Sequence, residues 1–145
     1  QGRIKSNVLV RESSVVCEFL KECPIFSRLT PRTLTEVADQ MKPEKHPAGT
    51  VIVRQGYPGD KFYIIKSGSV DVMIDDGTAR HTVATLVKGD FFGETALLTG
   101  EPRNATVVAK EELELYSLGK EEFQAVLHAS ATFEEELHKA LFERQ

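Results

Sequence analysis

The first part of the chain has apolar residues at the three- and four-residue spacing of amphipathic helices. A short helix is predicted there, and Pro24 ends it. A second helix is predicted with Thr30 as its N-cap and Pro31 as its first residue. Its apolar stripe consists of Leu34, Val37, Ala38 and Met41. The pattern therefore predicts a pair of helices within residues 13–41, after a linker over residues 1–12.

From about Lys42 the pattern changes to short β-branched runs that are separated by glycine-containing turns. The runs read TVIVRQ, KFYIIKSG, SVDVMID, HTVATLV, NATVVAKE and LELYSL. Asp76 and Gly77 between two of these runs predict a hairpin with a tight primed turn, because glycine tolerates the positive φ that such a turn requires. Several short strands with turn residues between them predict a rolled antiparallel β structure over residues 42–118.

Helical spacing returns in the last quarter of the chain. The segment KEEFQAVLHA places three apolar residues on one face: Phe123, Val126 and Leu127. Thr132 and Glu135 have the spacing of a capping box at the start of a final helix. Two C-terminal helices are therefore predicted within residues 120–143, and the fold class is mainly β with flanking helices.

The composition excludes several classes of protein. The chain has 145 residues, of which 41% are hydrophobic and 28% charged, so it can bury a core as one soluble domain. Its net charge of -4 argues against a general nucleic-acid binder. No apolar run approaches the ~20 residues of a membrane helix, so no membrane insertion is predicted. Cys17 and Cys23 are interpreted as small core residues in a reducing compartment, which predicts a cytoplasmic protein.

One segment, residues 89–108, departs from the plain strand pattern. It contains a single helical turn of sequence, ETALL, between Gly93 and Gly100. A short helix with glycine before it presents unpaired N–H groups to an anion, and Arg103 adds a planar guanidinium that matches two phosphate oxygens. Glu94 would repel an anion, so it is better placed to accept a hydrogen bond from a neighbouring sugar hydroxyl. Together these groups indicate a site for a ribose cyclic phosphate.

Two motifs of the chain resemble the cyclic-nucleotide-binding domain family. FGETALLTGEPRNATV is similar to the phosphate-binding cassette of that family, here residues 92–106, whose pattern is FGE-x-AL followed by PR-x-AT-V. PAGTVIVRQGYPGDKFYIIKSGSV is similar to its β-roll signature. Four turn positions match: Gly49, Gly56, Asp60 and Gly68. The likeness implies a domain over residues 13–145, an antiparallel β-roll with an N-terminal helical pair and C-terminal hinge and lid helices, as in kinase regulatory subunits and cyclic-nucleotide-gated channels.

The resemblance also implies roles for the cassette residues. Arg103 would pair with the exocyclic oxygens of the cyclic phosphate, Glu94 would bind the ribose 2′-hydroxyl, and Gly93 would leave room for the sugar. Backbone amides of Ala96 and Ala105 would complete the phosphate cradle. The implied ligand-binding residues are Gly93, Glu94, Thr95, Ala96, Arg103, Asn104, Ala105 and Val83. Two leucines of the last helix would either cap the base or serve ordinary helix packing: Leu137 and Leu141.

The choice of base is left open by these residues. In the family, threonine directly after the arginine is associated with cGMP, whereas this chain has Asn104. Some cGMP sites resemble a second pattern, with a basic residue in the strand before the cassette. The nearest counterparts here, Val83 and Ala84, are apolar. The residues therefore favour cAMP over cGMP without deciding between them.

Three classes of function follow from this interpretation. The leading one is a regulatory module that signals to the effector part of a larger protein, such as a kinase, channel, transporter or nucleotide-exchange factor. The second is a structural or interaction module that keeps the fold without the ligand, which Asn104 favours and the presence of Arg103 and Glu94 disfavours. An enzyme acting on nucleotides would need a metal cluster or a general base near the phosphate, and the cassette has neither. No catalytic residue, cofactor or metal site is predicted, because the histidines are scattered along the chain.

Overall fold

The computed structural model describes residues 15–94, 97, 100 and 103–144, with side chains to residue 140, so the predicted linker over residues 1–12 lies outside it. The chain divides into two units. One is a β unit, Lys42–Phe123, and the other is a helical unit made of residues 15–41 and 124–144. Each unit has its own set of packed residues, and the β unit contains all the strands of the described chain.

The β unit consists of two four-stranded antiparallel sheets. The strands are β1 Lys42–His46, β2 Val51–Val53, β3 Lys61–Ser67, β4 Ser69–Asp75, β5 Arg80–Val87, β6 Phe91–Phe92, β7 Thr106–Ala109 and β8 Leu113–Gly119. The first sheet has the order β1-β8-β3-β6, and the second has the order β2-β7-β4-β5. Apart from the β4–β5 hairpin, neighbours in each sheet come from distant parts of the chain, so consecutive strands otherwise alternate between the two sheets, as in a roll.

Strand β3 is buried on both of its faces, which explains its unbroken apolar sequence FYII. One face carries Tyr63 and Ile65 into the core cluster of the roll. The other face carries Phe62, whose ring stacks on Phe123 with the centroids 4.9 Å apart and lies 5.7 Å from the centroid of Phe91. The core cluster consists of Val53, Tyr63, Ile65, Val70, Phe92, Val107, Ala109, Leu113 and Leu115. Each fully buried side chain of this size stabilises the fold by about 1.5–3 kcal/mol.

The helices flank the strands in sequence. They are α1 at residues 15–21, α2 Pro31–Gln40, α3 Lys120–Ala129 and α4 Ala131–Arg144. The predicted N-terminus of α2 is confirmed, because the Thr33 amide donates to the hydroxyl oxygen of Thr30 at 3.2 Å. In the helical unit, Phe26 stacks on Phe133 with the centroids 5.2 Å apart.

The predicted β4–β5 hairpin is confirmed, but its predicted tight primed turn is wrong. Residues 76–79 form the connection, and Gly77 alone among them has a positive φ, of 94°. One carboxylate oxygen of Asp76 accepts from the amides of Thr78 and Ala79, both at 3.0 Å. These bonds hold Asp76 in its charged form and lower its pKa. A side chain that bonds the following backbone stabilises the longer loop.

The predicted cap of the final helix is also wrong. Helix α4 begins at Ala131, and Ser130 is the residue before it. The Phe133 amide donates to the Ser130 hydroxyl oxygen at 3.1 Å, while Thr132 lies inside the first turn. Ser130 lacks the glutamate or glutamine of a capping box three residues later, so the sequence pattern favoured Thr132.

Candidate functional site

Arg103 is the central residue of the site, and it is only 7% exposed. Its Nη1 donates to the carbonyl oxygen of Gly93 at 2.6 Å, and its Nη2 donates to the carbonyl oxygen of Lys61 at 2.8 Å. These bonds use two of the five N–H groups of the guanidinium and fix its plane. A guanidinium held in one plane presents its remaining N–H groups as a fork, which is suited to an anion with two oxygens.

Neighbouring groups keep Arg103 charged despite its burial. Burial lowers the pKa of Arg103, and the negative charges of Asp60 and Glu94 offset part of that lowering, so the guanidinium stays charged. Glu94 is itself only 4% exposed and directly follows Gly93. The two residues that the sequence singled out for phosphate and sugar are therefore both buried and electrostatically coupled.

The backbone of Arg103 is held by the loop between β2 and β3. The Arg103 amide donates to the Tyr57 carbonyl oxygen at 2.8 Å, and the Gly56 amide donates to the Arg103 carbonyl oxygen at 2.7 Å. Gly56 has a φ of 86°, which glycine adopts without strain. The backbone of Arg103 is thus held by the β2–β3 loop, and its guanidinium is held by Lys61, the first residue of β3, and by Gly93.

Gly93 allows the guanidinium to approach the chain. Its φ is 93°, and a Cβ at this position would lie 2.8 Å from Nη1 of Arg103 and 2.8 Å from the Lys61 carbonyl oxygen. A side chain here would therefore displace Arg103. Room for a sugar at Gly93 stays a prediction, because the described neighbours of the missing side chain are the arginine, Lys61 and Tyr63.

Tyr63 lies beside this group, and it also belongs to the core cluster of the roll. Its ring stacks on Phe92 with the centroids 4.9 Å apart, and the residue is 6% exposed. Burial and the nearby charge of Glu44 raise its pKa to about 12, so the hydroxyl stays neutral at physiological pH. The apolar pattern of β3 indicates only core packing for Tyr63. The Lys61 carbonyl gives no sequence signal either, because every residue type has one.

The remaining predicted residues are spread over the chain. Asn104 is exposed and Ala105 is half-buried directly after the arginine, while Thr95 and Ala96 lie outside the described residues. Val83 is 55% exposed in β5. It is the extra residue of a bulge, because Val72 pairs with Ala84 and Met73 pairs with Thr82. The ligand contacts of these residues stay predictions.

The two leucines proposed as a base cap belong to helix α4. Leu137 is fully buried in the described structure. The side chain of Leu141 lies outside it. Their role over a base therefore stays a prediction, alongside the alternative of ordinary helix packing.

Within residues 15–94, 97, 100 and 103–144, no three histidine, cysteine or acidic side chains converge as metal ligands would. None of the helices in the described residues combines the length and the hydropathy needed to cross a bilayer.

Comparison with known proteins gives consistent matches. A family model described as "Cyclic nucleotide-binding domain" matches residues 43–130. A cAMP-dependent protein kinase regulatory subunit of Colletotrichum orbiculare is 41% identical over 110 residues, which are 76% of this chain and 28% of the relative. The chain thus spans little more than a quarter of that relative's length.

Solved structures share the fold. The regulatory domain of Toxoplasma gondii PKA, solved with cAMP, matches with a TM-score of 0.85 at 31% identity, over 92% of this chain and 51% of that chain. The regulatory subunit of a cAMP-independent protein kinase A from Trypanosoma brucei matches with a TM-score of 0.83 at 30% identity, over 91% and 46%. These matches confirm the predicted fold class, an antiparallel β-roll with flanking helices.

Proposed function

Because the chain belongs to the cyclic nucleotide-binding domain family, we propose that it is a regulatory module that binds cAMP at Arg103 and signals to a protein kinase. Its curated relatives are named as regulatory subunits, which supports a role without catalysis. The same relatives favour a kinase over a channel or transporter as the partner. A cytoplasmic location is supported by Cys17 and Cys23, neither of which forms a disulfide in the described structure.

The observation that carries the proposal is the buried, forked guanidinium of Arg103. It is held in one plane by two carbonyl oxygens and keeps a positive charge in a site that is largely removed from water. A cyclic phosphate carries one negative charge on two exocyclic oxygens, which match the spacing of guanidinium N–H groups. The buried carboxylate of Glu94 is the acceptor that a ribose 2′-hydroxyl requires.

The output of the module is proposed to pass through helix α3. The Lys61 carbonyl accepts from Arg103, and the carbonyl of the preceding residue, Asp60, accepts from the Lys120 amide at 2.9 Å. Lys120 is the first residue of α3, and Phe123 one turn later stacks on Phe62. A ligand that binds Arg103 more tightly in one position of this helix shifts the population toward that position.

A second candidate function is the same fold without a response to cAMP. The similar Trypanosoma brucei regulatory subunit is named as cAMP-independent. Asn104, which departs from the family pattern directly after the arginine, agrees with this alternative. The two candidates differ in one measurable property, the binding of cAMP.

Calorimetric titration with cAMP and with cGMP in one buffer tests the proposal. Heat and thermal stabilisation are expected with cAMP, and weaker binding is expected with cGMP. At a free ligand concentration of 100 times the Kd, binding adds about 2.7 kcal/mol to the free energy of unfolding. Neither heat nor stabilisation with either nucleotide would contradict the proposal and favour the second candidate.

Glu94→Gln is expected to weaken cAMP binding by about tenfold, because the neutral amide is a poorer acceptor for the 2′-hydroxyl. The loss is expected to be much smaller for 2′-deoxy-cAMP, which lacks that hydroxyl. Titration of both ligands against the variant measures the difference. Glu112→Gln, at an exposed position of the same unit, is the matched control. Equal losses for the two ligands would show that Glu94 does not bind the hydroxyl.

A further inference from the structure

The side chain of Gln55 makes a pair of hydrogen bonds to the backbone of a distant strand. Its Nε2 donates to the Asp75 carbonyl oxygen at 3.1 Å, and its Oε1 accepts from the Asp75 amide at 2.8 Å. Asp75 is the last residue of β4, at the base of the β4–β5 hairpin. A primary amide has a donor and an acceptor, as a peptide group does, so it satisfies both backbone groups at once.

These bonds lie where a strand would otherwise continue. The β4–β7 ladder pairs Val72 with Val107 and Met73 with Thr106, and the same register would bring Asn104 opposite Asp75. Strand β7 begins only at Thr106, so the ladder stops short of that pair. The side-chain amide of Gln55 therefore bonds the Asp75 backbone in the position where an extended β7 would otherwise pair with it. It leaves residues 103–105 outside the sheet, where Arg103 turns inward.

Gln55 is also tied to the residues that carry Arg103. The backbone amide of Gln55 donates to the Thr106 hydroxyl oxygen at 3.0 Å. The next residue, Gly56, donates its amide to the Arg103 carbonyl oxygen at 2.7 Å. Gln55 and Gly56 thus contact three parts of the chain, namely Thr106, the backbone of Arg103 and the β4–β5 hairpin.

We propose that Gln55 is a positioning residue of the ligand site, which fixes the β4–β5 hairpin in relation to Arg103. The inference rests on the proposed function, in which the phosphate lies at Arg103, and on the ligand contact that the family resemblance implies for Val83 of β5. Loss of the Gln55 amide would let the hairpin move while the guanidinium keeps its carbonyl partners. The distance between Arg103 and Val83 would then no longer be fixed.

Gln55→Met tests the inference, because methionine has a similar length and cannot make either bond. Hydrogen exchange of the Asp75 amide in the ligand-free protein is expected to rise about tenfold. Affinity for cAMP is expected to fall about tenfold, with a changed ratio of cAMP to cGMP affinity. Gln55→Glu keeps the acceptor but loses the donor, and it is expected to fail to restore the wild-type values. Gln40→Met, at an exposed position of α2, is the control.

The outcomes separate this inference from the proposed function. Titration of the wild-type protein alone decides whether it binds cyclic nucleotides. Unchanged exchange of Asp75 in Gln55→Met would overturn the inference whether or not the wild type binds. Faster exchange with unchanged affinity and unchanged nucleotide ratio would also overturn it, because the hairpin would then be irrelevant to the site. A change in the ratio, measured well below the unfolding temperature, is a result that a loss of stability alone would not give.

Discussion

Arg103→Lys is expected to weaken cAMP binding by about 10- to 150-fold, which corresponds to the loss of one charge-assisted hydrogen bond of about 1.5–3 kcal/mol. The charge is retained in this variant, so the expected loss comes from geometry. An ammonium group is a compact charge, and it cannot present two parallel N–H groups to a phosphate while it also donates to two carbonyl oxygens in one plane. The carbonyls of Gly93 and Lys61 would then lose their common donor.

The measurement is a calorimetric titration of the variant with cAMP, after its thermal unfolding has shown that it is folded. Arg54→Lys provides a matched control, because Arg54 is exposed in the loop that holds the Arg103 backbone. That variant is expected to bind as the wild type does. Wild-type affinity in Arg103→Lys would exclude the assigned phosphate site.

Gly93→Ala is expected to lower the free energy of unfolding by about 2–5 kcal/mol and to abolish most cAMP binding. A φ of 93° costs an alanine about 1–2 kcal/mol, and overpacking adds about 1–3 kcal/mol. The added methyl group would contact Nη1 of Arg103 and the Lys61 carbonyl oxygen, both at 2.8 Å. The arginine would have to move, and the two carbonyl bonds that orient it would be lost.

Gly49→Ala separates the two contributions. Gly49 has a φ of 89°, close to that of Gly93, but a Cβ there would meet nothing within 4 Å. This control is expected to lose about 1–2 kcal/mol of stability and to keep its affinity for cAMP. Thermal unfolding and titration of both variants give the comparison. Equal affinities in the two variants would mean that the close approach of Arg103 to residue 93 is not needed for binding.

The outline of the β-roll could be predicted because β2, β3, β4 and β7 bury β-branched residues and β8 buries leucines. Strand β1, KPEKH, was not predicted, since it is a polar edge strand that contains Pro43. Such a strand is specified by its backbone pairing with β8 and leaves no apolar alternation in the sequence. The short strand β6 was also missed, because two residues are too few to show a period.

In the candidate site too, side chains with a distinctive chemistry stand out in the sequence, whereas their partners on distant parts of the backbone do not. Arg103 and Glu94 stand out in the sequence because a guanidinium matches a cyclic phosphate and a carboxylate matches the neighbouring hydroxyl; the structure buries both residues, and their ligand contacts stay predictions. The carbonyl partner of Arg103 at Lys61 lies 42 positions away in the sequence, and a carbonyl is common to all residue types. Gln55 gives no local signal either, because its amide is paired with a backbone 20 residues away.

The pairing of β1 with β8 places the first residue of the β unit close to the end of its last strand in the same sheet. Lys42, its first residue, lies opposite Ser117, and Gly119 ends the last strand two residues later. Paired residues in an antiparallel ladder have Cα atoms about 4.5–5.5 Å apart. A host protein could therefore receive this unit at a single surface loop, as domain insertions require, without separating the segments on either side.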